Sequence, residues 1–215
     1  MAWQFRKSGG RGSSRKQAAV RRHSRARRVL PTLEPLEDRH LMATNTLTPV
    51  ADAFMRDGDY SSLNSGLDSA LIVKNDELSS RRTSILQFDL AQIQGSVTRA
   101  TLRLHPTNAG KAGITHALAL VSNDNWSEKK ITWENKPESG GAVEHWQVQS
   151  GQVVEVDVTA LVQGELAGDH LLSLEIFSPD YSGPDGWATY GSREASADVR
   201  PVLEITSDAT PIPKE

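Results

Sequence analysis

Arg56, Lys74, Arg81, Arg82 and Arg193 stand against an acidic background, and cations in that setting need a reason. Residues 1–30 hold ten Lys and Arg and no Asp or Glu, which leaves 14 basic against all 27 acidic residues in the remainder, a net charge of −13. The overall value of −3 hides this split. A chain so acidic beyond its first residues is a poor general binder of nucleic acid or acidic membrane. A guanidinium fork, however, matches a carboxylate in two parallel hydrogen bonds. A polymer carrying one carboxylate per sugar, a uronate chain, is what such a cluster would hold. Lys74 closes the run LIVKND, and Arg81 and Arg82 open the next strand, so a hairpin brings Lys74 beside an arginine. Adjacent strand residues point to opposite faces, so Arg81 and Arg82 do not share one. Tyr190 and Arg193, in YGSRE, form a second group, with a ring for a sugar face and a hydroxyl for hydrogen bonding. The competing reading makes these cations solvated charges that protect edge strands, and pairs Arg193 with Glu194.

Asp52, Asp57 and Asp59, with Asn64, supply the oxygen donors that calcium takes from carboxylates and amides. Their spacing is not that of an EF-hand, and an Asp-Gly turn with side-chain capping is the competing account. Asp180 and Asp185 make a weaker case of the same kind. The absence of cysteine excludes thiolate chemistry, and no histidines pair at zinc-ligand spacing, so structural calcium is the expected metal.

The elements that must position these residues alternate with period two. Leu86, Phe88 and Leu90 repeat the pattern of Ala100, Leu102 and Leu104, of Val154, Val156 and Val158, and of Leu172, Leu174 and Ile176. Shorter strands are expected at 70–73, 116–121, 187–192 and 202–205. Glycine-containing turns separate them, and one short helical turn is expected at 159–163. About eight or nine strands without a long helix make an all-β antiparallel sandwich. Trp126 and Trp133 bracket a turn and read as packing residues; Trp187, beside the Gly-Pro-Asp-Gly loop, is the better stacking candidate.

The segment NDNWSEKKITWENKP (Asn123–Pro137) follows ADAFMRDGDY, RRTSILQFDL and TRATLRLH, and precedes VVEVDVTALV and YGSRE. In this order the segments resemble the DNRLRE-type domain, also classed as carbohydrate-binding module family 96, from about Asn45 to Ser207. The resemblance implies a jelly-roll sandwich that binds carbohydrate, with alginate as the family-linked ligand. Ahead of it, LPTLEPLEDRHLMA (Leu30–Ala43) resembles a bacterial sorting leader of the L-E-x-L-E-x-R-x-L type, behind a basic block. It lacks the apolar stretch of a signal peptide, and no run reaches the length of a membrane span. The expected division is therefore a disordered export leader at 1–44, the sandwich at 45–207 and a Pro-containing tail at 208–215.

These readings converge on a secreted or cell-surface bacterial module. It is expected to be non-catalytic and to hold an anionic polysaccharide through Arg56, Lys74, Arg81, Arg82, Tyr190 and Arg193. A structural or adhesive surface protein is the first alternative. A polysaccharide lyase, using Tyr190 with a histidine and Arg193, is the second.

Overall fold

Alternation becomes two packed sheets in the computed structural model, which describes residues 42–208 except Leu78. Twelve strands occur in chain order: β1 (Met42–Leu47), β2 (Ala51–Arg56), β3 (Ala70–Lys74), β4 (Arg82–Asp89), β5 (Val97–Leu104) and β6 (Pro106–Ala109), then β7 (Ile114–Val121), β8 (Ala142–Val148), β9 (Val154–Asp157), β10 (Leu171–Phe177), β11 (Trp187–Gly191) and β12 (Val202–Asp208). Helix α1 (Thr159–Leu166) lies between β9 and β10 and runs three residues beyond the expected turn. One sheet has the order β1-β12-β5-β9; the larger has the order β6-β11-β3-β4-β10-β7-β8, with β2 also paired to β4. Each of these pairings is antiparallel. The expected all-β sandwich is the observed one.

The four alternating runs read from the sequence supply the core between the sheets. Leu86, Phe88, Leu90, Ala100, Leu102, Leu104, Leu172, Leu174 and Ile176 are fully buried, and Val154, Val156 and Val158 nearly so. Burying an aliphatic or aromatic side chain of this size stabilises by about 1.5–3 kcal/mol, which is why period-two runs decide the fold. β1, β2, β6 and β8 were not expected as strands. β8 is largely exposed, and β6 opens on a proline at the margin of its sheet, where a missing N–H is tolerated. β1 begins at Met42, whose partner is Asp208, so the sandwich starts three residues before the expected boundary. The remainder of the leader motif and residues 209–215 lie outside the described residues.

A second, smaller core joins Ala53, Met55, Ile85, Val121 and Ile131, with Trp126 and Trp133 packed over it. Both tryptophans are thus packing residues, as read. The Asn123–Pro137 segment that carries them is pinned by side-chain amides. Asn64 donates to the carbonyls of Glu128 and Ile131, at 2.6 and 2.7 Å. Asn135 accepts from Thr132 N–H at 2.7 Å and donates to Lys130 O at 2.9 Å. Trp126 Nε1 donates to Ser173 Oγ at 3.0 Å. Asn64 therefore organises the loop rather than a metal.

Candidate functional site

β2 and β4 pair with Arg56 directly opposite Arg82, and β3 meets β4 with Lys74 opposite Arg82. Side chains directly across an antiparallel pair share a face, with Cβ atoms about 5 Å apart. Three cations are thus set in one row. Like charges in this arrangement repel, so the sheet tolerates them only with compensation or for a purpose. Lys74 is compensated: it is largely buried, and its Nζ lies 2.7 Å from Asp76 Oδ2. Among the described residues neither Arg56 nor Arg82 has a carboxylate within ion-pair distance.

These two arginines line a surface groove of about 260 Å³ with Phe54, Tyr60, Leu63, Ser65 and Ile72. The Arg56 guanidinium carbon lies over the Tyr60 ring, 3.7 Å from its centroid, a cation–π contact that holds the side chain in place. Its Nε is shielded from solvent and donates to no acceptor. Burial, and then the neighbouring Arg56 charge, pull the Arg82 pKa below its ordinary value, with Asp57 acting in the opposite sense. The groove thus gathers two arginines with no carboxylate within ion-pair distance among the described residues. Tyr60 sits in a single 3-10 turn, Gly58–Tyr60, entered through Gly58 at φ +68°. A Cβ on Gly58 would also run into Ser79, so glycine is required there twice over.

The other expected cations meet acidic partners. Arg81 faces away from Arg82 and is held by Asp57, with its backbone N–H on Oδ1 and its Nε on Oδ2, both at 2.8 Å. Its guanidinium also leans over Trp133, 5.4 Å from the ring centroid. Arg193 ties three segments together. Its backbone N–H donates to Asp52 Oδ2 at 2.8 Å, and its Nη1 donates to Glu128 Oε1 at 2.9 Å and to Val50 O. Its Nε also lies 3.5 Å from Glu194, the pair that the competing reading expected.

Tyr190 is a correction. The expected stacking ring is fully buried in the main core. Its hydroxyl lies 2.7 Å from His116 Nδ1 and accepts from Trp146 Nε1 at 3.0 Å, and burial pushes its pKa up. Alternation explains this: Ala188 and Tyr190 share the inward face of β11, so the Tyr190 ring packs in the core rather than on the surface. Trp187 lies against Gly110, where a Cβ would meet its indole nitrogen.

The acidic triad is corrected as well. Asp57 is committed to Arg81, Asp59 is exposed, and neither converges with Asp52. Asp52 instead meets Glu128 and Glu194, with carboxylate oxygens within 4.8 Å of one another. Burial pushes the Asp52 carboxyl up to about 7; the Arg193 N–H opposes the rise, and Glu194 and Glu128 add to it. The Arg193 guanidinium, bound to Glu128 and beside Glu194, supplies positive charge there. A second acidic group joins Asp124, Glu165 and Asp169 near the end of α1.

The sequence reading missed Tyr60, four residues after Arg56 in ADAFMRDGDY. The signal was an exposed aromatic following a glycine turn, but only the fold shows the ring beneath the guanidinium.

Among the described residues no helix is long and apolar enough to cross a membrane. Comparison with curated proteins gives no match. The sequence model of carbohydrate-binding module family 96 matches residues 43–207, nearly the whole sandwich, groove included. The chain belongs to carbohydrate-binding module family 96.

Proposed function

We propose that this carbohydrate-binding module holds an anionic polysaccharide, a uronate polymer such as alginate, in the groove between β2, β3 and β4. The observation that carries this reading is the pair Arg56 and Arg82, placed directly opposite each other and, among the described residues, with no carboxylate within ion-pair distance. Each presents a fork suited to a carboxylate, and Tyr60 with the apolar wall offers a surface for the sugar's C–H face. Lys74, Arg81 and Arg193 are structural in this account, because each is matched by an acid. The protein works outside the cell, delivered by the leader whose motif lies mostly beyond the described residues.

The module acts by binding rather than by catalysis. A lyase would need a proton-transferring tyrosine or histidine at the ligand; Tyr190 is sealed in the core with His116, and Tyr60, the tyrosine in the groove, is engaged through its ring by the Arg56 guanidinium. An exposed charge-assisted contact is worth about 1 kcal/mol or less, so useful retention depends on repetition along the polymer. The test is affinity electrophoresis in gels containing alginate, pectate or a neutral β-glucan. Retardation by the uronate gels that fades with added salt is expected, because screening acts within about 10 Å at 0.1 M. Retardation by the neutral glucan alone, insensitive to salt, refutes the reading.

A further inference from the structure

We infer that the groove is a one-sugar site: Arg56 and Arg82 grip the same carboxylate of a single uronate unit, rather than the carboxylates of successive units. This inference rests on the anionic-polysaccharide reading above and adds the size of the ligand that is recognised.

The register carries the argument. Arg56 and Arg82 are direct cross-strand partners, so their side chains leave the sheet side by side, about 5 Å apart at Cβ. Two forks that close together converge on one anion. The next cation in the row, Lys74, would have extended the site, but Asp76 already holds it. Arg81 points to the other face and is bound to Asp57. The rest of the groove lining, Phe54, Tyr60, Leu63, Ser65 and Ile72, is uncharged. A second carboxylate would find no partner there.

Volume agrees. Pockets that enclose a drug-sized ligand run from about 300 to 1,000 Å³. At about 260 Å³ this groove lies below that range and suits one pyranose with its carboxylate against the arginines. The Tyr60 ring holds Arg56 in position, so little side-chain freedom is lost on binding. Affinity for a long polymer then grows from the number of equivalent units offered to one small site, not from an extended contact.

Two measurements test this on the full chain. The first is calorimetric titration with free mannuronate and with its linear oligomers of two, four and six units, concentrations counted per uronate. The expected affinities differ by less than about tenfold across the series. The methyl ester of mannuronate should not bind. A hexamer that binds far more tightly per uronate than the monosaccharide, beyond that tenfold limit, overturns the one-sugar site while leaving the polysaccharide reading intact. If no oligomer and no uronate gel binds, the broader reading has failed instead. The second measurement is a double-mutant cycle on alginate retention with Arg56→Gln, Arg82→Gln and the pair, each verified as folded by its thermal transition. Shared grip on one carboxylate predicts strong coupling, so that the double variant loses little beyond the worse single one. Independent, multiplying losses would show that the arginines address different carboxylates, and would overturn the proposal.

Discussion

His116 and Asp52 carry opposite pH dependences that should nearly cancel in the wild-type protein and appear when either is replaced. His116 is fully buried, and burial pulls its pKa from 6.5 down to about 3. In the arrangement that leaves fewest donors and acceptors unpaired, Tyr190 donates to Nδ1 while accepting from Trp146, and Nε2 carries the proton without a partner. Below pH 6.5 the unfolded chain takes up a proton that the folded chain refuses, so this group removes stability as pH falls toward about 3. Asp52 works the other way. Its folded pKa is raised from 3.8 to about 7, so the folded chain keeps a proton that the unfolded chain gives up, and stability is lost as pH rises through that window. One unit of pKa difference is worth about 1.4 kcal/mol. Between about pH 6.5 and pH 4 each group therefore contributes about 3 kcal/mol, with opposite signs. Urea unfolding of the wild type, His116→Gln and Asp52→Asn at these two pH values tests the reasoning. Relative to wild type, His116→Gln should gain about 3 kcal/mol on acidification, and Asp52→Asn should lose about as much. A stability difference between His116→Gln and wild type that is the same at both pH values would refute the account of His116.

Three further outcomes are expected. Arg81→Ala should lower the melting temperature, through loss of the Asp57 contacts and the Trp133 face, yet leave alginate retention at the wild-type level; a loss of retention with an unchanged melting temperature would place Arg81 in the binding site. Glu165→Gln should raise the melting temperature at neutral pH, since burial and the charges of Asp124 and Asp169 hold the Glu165 pKa above its ordinary value; a fall would refute that account of Glu165. Gly58→Ala should destabilise by more than about 1 kcal/mol in urea unfolding, because a side chain there meets both a left-handed backbone and Ser79; a neutral effect would mean that the turn can be rebuilt without disturbing its neighbours.

The sequence by itself determined the sandwich and the composition of its core. Leu86, Phe88, Ala100, Leu102, Leu172 and Leu174 alternate with period two, and the pleat of a strand converts that spacing into one buried face without regard to what lies opposite. It also named Arg56 and Arg82, the pair on which the proposed groove rests. It did not tell a free arginine from a matched one, because matching is a long-range property. Arg193 meets Glu128 across 65 positions and Asp52 across 141, and no local spacing encodes either contact. Even Arg81 and Asp57, 24 positions apart, meet only because β2 and β4 lie side by side. The same holds for Tyr190, whose type suits a sugar but whose place on the inward face of β11 gives it to His116 and Trp146. Pattern fixes which face a residue takes; only the packed sheets decide which charges find partners.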